Sequence, residues 1–228
     1  MPKVVCFDFD GVLTSKSAIS RFVKIFGHKF EALKYGVEAF EDNKNPEKFF
    51  RDVRGLIKLA EGVPYEYVER ISLFLKLNKN AKSVMKKLKR DGHKVVIVSI
   101  NDEGLIKKFL KKCGMDKHID HIYASKLGTK NGILTGSIYG DVIKTEKVGV
   151  IRKIEKLYRT KKEDMIYIGD GLTDLPIMKK IGSGILFCPD TVTNAEVLAD
   201  RQLMKMRKSG RLFLVTENNL SRILDFIS

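Results

Sequence analysis

Tryptophan is absent from this 228-residue chain, cysteine occurs three times and proline five times. Cys6, Cys113 and Cys188 form no Cys-x-x-Cys pair and no even-numbered set. Neither a disulfide framework nor a structural zinc site is expected, and a reducing, cytoplasmic setting fits this usage. Scarce proline and glycine without a three-residue period exclude a collagen-like chain, while 43% hydrophobic residues exclude a wholly disordered one. Long apolar runs are also missing. The longest uncharged stretches, 131–140 and 181–189, are too short to cross a bilayer as a helix. The one apolar run near the N-terminus is interrupted by Asp8 and Asp10, so no secretory signal and no membrane partner are expected.

Acidic residues are the other shortage: 28 against 43 Lys and Arg, a net charge of +15. Such an excess attracts anions, from phosphorylated metabolites to nucleic acid. A lysine-rich solvated surface accounts for it equally well, and the dispersal of the lysines along the chain favours that explanation. The densest pieces, 82–90 and 107–112, read as the wet faces of amphipathic helices, without the interleaved aromatics of a single-strand-binding surface.

What the chain does have is a repeated strand signature. Residues 3–9 (KVVCFDF), 94–99 (KVVIVS), 165–169 (MIYIG), 184–188 (GILFC) and 211–216 (RLFLVT) are nearly continuous apolar runs, as strands buried on both faces require. A further short strand is expected over 118–125. Helical patterns over 81–90, 103–113, 148–158, 174–181 and 218–227 separate or follow them. The alternation predicts an α/β fold, a Rossmann-like, mostly parallel sheet flanked by helices, with ligands bound beyond the carboxyl ends of its strands. Residues 131–144 alternate and turn like an edge hairpin. Residues 15–77 carry no strand pattern. They hold three helical stripes, Ile19 to Leu33, Phe49 to Ala60 and Tyr67 to Leu75, and read as a small all-helical cap inserted after the first strand. The expected division is a core of 1–14 and 78–228 with a cap of 15–77.

The strand ends carry the chemistry. Asp8 and Asp10 close the first strand, two residues apart and so on one face, before Gly11 lets the chain leave the sheet. Paired carboxylates at the end of a buried strand need compensation, and Mg²⁺, which takes carboxylate oxygens, supplies it. A second acidic cluster, Gly169-Asp170-Gly171-Leu172-Thr173-Asp174, closes the strand at Met165. Asp174 alone reads as a helix N-cap, but that leaves Asp170 unexplained. Ser99, ending VVIVS before a helix, offers a hydroxyl and nearby N–H groups to phosphate oxygens. Lys147, expected to begin the next helix, reduces the excess negative charge; Lys144 is its nearby competitor. His118 and His121, three apart in an expected strand, fall on opposite faces and are not expected to bind metal.

These motifs, DFDGVLT, VIVS, Lys147 and GDGLTD in that order, resemble those of the haloacid dehalogenase-like hydrolases, and within them the small helical-cap group of phosphoserine-phosphatase-like enzymes. The resemblance implies a Mg²⁺-dependent phosphomonoesterase acting on a small phosphorylated substrate. It makes Asp8 the nucleophile that becomes an aspartyl-phosphate, and Asp10 the acid and then the base. It assigns the phosphoryl oxygens to Ser99 and Lys147, and the metal to Asp8, the Asp10 carbonyl and Asp170, with Asp174 supporting from behind. The same intermediate also serves a phosphotransferase or mutase, and a basic nucleic-acid-binding protein on a phosphatase fold is the reading from another class.

Two departures bear on specificity. The phosphoserine group has an acidic residue soon after the first motif, whereas none follows Asp10 here until Glu31. It also has Gly-Gly after the serine, where this chain reads Ile100-Asn101. Ile100 narrows the approach, and Asn101 offers a hydrogen bond to substrate. Arg51 or Arg54 stands where that group has a cap arginine. Lys16, Arg21 and Lys24 suggest a substrate without an ammonium group and with a second anionic one; as solvated surface residues they would carry no such meaning.

Overall fold

A computed structural model describes residues 3–15, 17–18 and 46–227. Lys16, Arg21, Lys24 and the stripe from Ile19 to Leu33 lie outside the described residues. Within them, seven strands form one sheet. Central β1 (Val4–Phe7) pairs in parallel with β2 (Lys94–Asp102) and β5 (Met165–Gly169). Outside them lie parallel β3 (His121–Lys130) on one side and β6 (Gly184–Phe187) then β7 (Leu212–Val215) on the other. β4 (Ile133–Tyr139) runs antiparallel to β3. Chain order places β2 on one side of β1 and β5 on the other, so the crevice opens at the carboxyl end of β1.

β1, β5 and β6 are buried along their whole length, without alternation, because helices cover both faces of the sheet there. Val5, Phe7, Val95, Ile97, Ile166 and Ile168 point into one core. That face is covered by α2 (Tyr65–Phe74), α3 (Ala81–Arg90) and α4 (Glu103–Cys113), through Ile71, Met85, Leu88, Phe109 and their neighbours. Val4, Cys6, Val96, Val98, Met165 and Tyr167 point into the other. There Ile154 of α6 (Val150–Tyr158) and Ile177 and Met178 of α7 (Leu175–Ile181) meet them. α1 (Pro46–Leu59) precedes α2, the short α5 (Asp141–Lys144) follows β4, and α8 (Thr191–Ala199) and α9 (Arg201–Lys208) lie between β6 and β7. No helix among the described residues is long and apolar enough to cross a membrane.

Several boundaries differ from the pattern reading. Residues 131–144 are not a self-contained hairpin. Asn131 and Gly132, both at positive φ, turn β3 into β4, and 141–144 are helical. The expected strand over 118–125 begins only at His121, because 116–118 form a 3-10 turn, and it then runs on to Lys130. β2 continues past Ser99 to Asp102, with a register shift against β3 that leaves Ile100 and Asn101 as extra residues.

The turn between α1 and α2 is fastened to this hairpin: Gly62 N donates to Leu134 O at 2.9 Å, Leu134 N to Val63 O at 2.9 Å, and Tyr65 N to Gly132 O at 2.8 Å. Leu56, Ala60, Val63 and Leu134 bury one another there. Tyr65 Oη also donates to Asp102 Oδ1 at 2.5 Å. Where the chain leaves and re-enters the sheet layer, Ser15 N donates to Lys76 O at 3.0 Å and Asn78 N to Leu13 O at 2.9 Å.

Candidate active site

Asp8 follows β1 directly and extends its pairing, its N–H donating to Ile168 O at 2.8 Å. One carboxyl oxygen accepts from Phe9 N at 2.7 Å and the other from Lys147 Nζ at 2.9 Å. Gly11, at φ +72°, then turns the chain away, and a Cβ there would lie 1.8 Å from Asp170 Oδ2. A side chain at position 11 would be strained and would push Asp170 out of the crevice.

Asp10 has a different set of hydrogen-bond partners. Its carboxyl accepts from Ala18 N at 2.9 Å and Thr14 Oγ1 at 3.3 Å. Burial raises its pKa, and the Asn101 amide, the Ala18 N–H and the Thr14 hydroxyl oppose that rise. Asn101 is itself buried and turns back on Ser99, whose Oγ accepts from Asn101 N at 3.2 Å and Nδ2 at 3.4 Å. The bulge in β2 is what aims Asn101 this way. Ile100, by contrast, packs among Phe50, Val53 and Ile143 and is a hydrocarbon contact between α1 and the sheet.

Lys147 does not begin a helix: α6 starts three residues later, at Val150. It sits in a turn where both Glu146 and Lys147 have positive φ, +51° and +68°. Left-handed backbone at two consecutive non-glycine residues costs energy that surrounding contacts must offset. The contacts are dense. The ammonium, 1% exposed, donates to Asp174 Oδ1 at 2.7 Å, Asp8 Oδ2 at 2.9 Å and Tyr167 Oη at 3.3 Å. Burial works against its charge, and Asp174 and Asp8 outweigh that, holding the lysine protonated. Lys144 is exposed and takes no part.

Asp174 lies in the 3-10 turn before α7 and does not cap that helix with its side chain. Oδ1 accepts from Lys147 and from Tyr167 Oη at 2.9 Å, while Oδ2 accepts from Asp170 N at 3.0 Å and Gly171 N at 3.2 Å. A Cβ on Gly169 would fall 2.3 Å from the Asp174 Cγ, so β5 ends in glycine to let this carboxyl fold over it. Asp170 is partly exposed, and burial together with Asp174 and Asp8 pushes its pKa well up. Asp8 is raised to about 7, by burial first.

Oxygens of Asp8, Asp170 and Asp174 all lie within 4.8 Å of one another. Three carboxyls around one ammonium leave negative charge in a site that has little water to screen it. A hard divalent cation answers that excess, so the donor set fits Mg²⁺. Asp174 accepts two hydrogen bonds on each oxygen and Asp8 one on each, so Asp8 and Asp170 are the side chains with capacity to spare.

The structure thus brings Asp8, Lys147, Asp170 and Asp174 into one hydrogen-bonded group, and sets Asp10, Asn101 and Ser99 in a second beside it. Arg54 is occupied, donating to Ile143 O at 2.6 Å, and Arg51 is exposed. His118 and His121 join no acidic or metal-ligating group among the described residues. Tyr167 was not singled out in the sequence. The available signal was a hydroxyl in a strand otherwise apolar on both faces, where it needs a partner.

A family model described as haloacid dehalogenase-like hydrolase matches residues 2–182. The phosphoserine phosphatase of Methanocaldococcus jannaschii is 32% identical over 187 residues, 82% of this chain and 85% of that protein. That of Lactococcus lactis is 27% identical over 78% of this chain and 75% of its own length. A substrate-bound phosphoserine phosphatase structure superimposes with a TM-score of 0.78 at 27% identity, covering 100% of this chain and 99% of the other. A phospho-aspartyl intermediate analogue of phosphoserine phosphatase gives 0.76 at 26% identity, covering 100% and 99%.

Proposed function

This chain belongs to the haloacid dehalogenase-like hydrolases and is a phosphatase, and on that premise we propose that it hydrolyses a small phosphomonoester through an aspartyl-phosphate on Asp8, with Mg²⁺ bound. Residues 15–77 act as the cap over the core in this reading. The observation that carries it is the buried Lys147 ammonium joined to both Asp8 and Asp174. That arrangement opposes the upward push of burial on the nucleophile's pKa and presents positive charge where phosphoryl oxygens arrive.

In the first step an Asp8 oxygen attacks phosphorus and the bond to the ester oxygen breaks. Asp10 in its acid form gives its proton to the departing oxygen. The raised pKa of Asp10 suits that duty. In the second step the Asp10 carboxylate takes a proton from water. The water oxygen attacks phosphorus, the bond to Asp8 breaks, and inorganic phosphate leaves. The Ser99 hydroxyl and, as its bond to Asp8 yields, Lys147 hold phosphoryl oxygens. Asp8, Asp170 and the Asp10 carbonyl would hold the metal, with Asp174 orienting Asp170 through its backbone N–H. Bound Mg²⁺ supplies charge that offsets the carboxylates and the phosphoryl group.

The test is inorganic phosphate release across phosphoserine, sugar phosphates, nucleotides and a phosphate-ended oligonucleotide, with and without Mg²⁺. Turnover should require Mg²⁺, vanish in Asp8→Asn, and fall roughly a hundred- to ten-thousand-fold in Asp10→Asn. Transfer to an added alcohol outrunning phosphate release would make the protein a phosphotransferase. No turnover on any ester, with salt-sensitive nucleic-acid binding indifferent to Asp8→Asn, would replace the reading.

A further inference from the structure

The hydroxyl of Tyr167 occupies a position that neither step above uses. It is fully buried, 2.9 Å from Asp174 Oδ1 and 3.3 Å from both Lys147 Nζ and Val98 O. The ring is packed in the core between the sheet and the helices α6 and α7, so the oxygen is held by packing and not by solvent. We propose that Tyr167 is a positioning residue for phosphoryl transfer, aiming the Lys147 ammonium at the incoming phosphoryl group.

An ammonium has three N–H donors. Here they go to one oxygen each of Asp8, Asp174 and Tyr167. The Asp8 bond is the one that must yield, because that carboxyl becomes the acyl phosphate and its oxygens lose charge. Lys147 then turns the freed N–H to a phosphoryl oxygen, and Asp174 and Tyr167 are the anchors that remain. Two fixed acceptors define where the third N–H points, whereas Asp174 alone leaves the ammonium free to swing about one bond. Tyr167 provides the second anchor without adding negative charge beside an incoming phosphate. Its own hydrogen goes to Asp174, which stays oriented with its second oxygen on Asp170 N and Gly171 N. The lysine needs such bracing, since its backbone lies in a strained turn outside any helix or strand.

The inference rests on the phosphatase reading, and the experiment separates the two. Steady-state kinetics on the best ester of the panel are measured for wild type, Tyr167→Phe, Lys147→Ala, the double variant and Asp8→Asn, beside unfolding midpoints. Tyr167→Phe keeps the ring and removes only the oxygen. It should lower kcat roughly ten- to a hundred-fold with KM within about two-fold, because the misdirected charge is missed most in the transition state. On the Lys147→Ala background the same change should cost less than about two-fold, since its effect passes through the lysine. Tyr167→Leu, a second side chain without the hydroxyl, should repeat the pattern. Wild-type kcat in Tyr167→Phe, or equal losses in both backgrounds, would overturn the inference while an inactive Asp8→Asn left the phosphatase reading intact. A lowered midpoint with kcat unchanged would reduce Tyr167 to packing and overturn it too. An active Asp8→Asn would remove the reading of the site and this inference with it.

Discussion

Asp120 accepts hydrogen bonds from Lys89 Nζ at 2.6 Å on each oxygen and from Val95 N at 2.8 Å, with Lys94 Nζ at 3.6 Å. Burial acts to raise its pKa, but the Lys89 and Val95 donors outweigh burial and the net direction is down. The sign for stability follows from linkage. A carboxyl whose folded pKa lies below the unfolded value of about 3.9 stabilises the fold above that pH and loses the contribution as pH falls through the folded value. Asp120→Asn should therefore cost about 1 kcal/mol at pH 7. Urea unfolding should find the gap between wild type and variant closing as pH drops below about 4; a gap constant with pH would contradict the assignment. Asp8 is the opposite case. The same carboxyl chemistry, crowded by Asp174 and sealed by burial, is driven upward even with Lys147 beside it. Motif order in the sequence was enough to single out Asp8, Asp10, Asp170 and Asp174. It gave no access to their hydrogen bonds, so Asn101 reads there as a substrate contact, whereas it folds back on Ser99.

At the scale of elements, agreement was closest where local signals stand alone. The expected helix over 103–113 matches α4 because Asp102 Oδ1 accepts from Leu105 N at 3.0 Å to start it and Gly114, at φ +61°, ends it. Misjudged boundaries lie where partners distant in sequence decide. β3 reaches Lys130 because β4 pairs with it and the α1–α2 turn in turn pairs with β4, and no local periodicity encodes either contact. At the junction near Leu13 and Asn78 one side chain reinforces the backbone bonds. Asn78 Nδ2 donates to Gly11 O and Val12 O at 2.8 Å each, with Thr14 O at 3.3 Å, all in the segment that follows the nucleophile. Asn78→Ala leaves buried carbonyls without that donor and should destabilise by about 1–3 kcal/mol. It should also lower kcat by loosening the loop that carries Asp10. Denaturant unfolding and phosphate release together check this, and wild-type values in both would count against it.

The whole molecule carries +15. Some ion pairs among the described residues join neighbours along one helix, Lys87–Asp91 and Lys107–Glu103 among them, while the excess lysines repel one another across the surface. Raising NaCl from about 10 mM to about 150 mM shortens the screening length from about 30 to about 8 Å. The unfolding midpoint should rise over that range as self-repulsion is screened. A fall would mean that surface ion pairs contribute more than the net charge costs. Sequence alone determined the α/β class, the strands whose ends carry the carboxylates and the order of the motifs, because those follow from periodicity and from residues adjacent in the chain. Three-dimensional packing is what brings Lys147 to Asp8 across 139 residues, turns Asp174 to the lysine and leaves α7 without a side-chain cap, and lets Tyr167 complete the ammonium's shell. Those distances are set by how two layers of helices pack on a mostly parallel sheet, and packing joins residues that no local pattern connects.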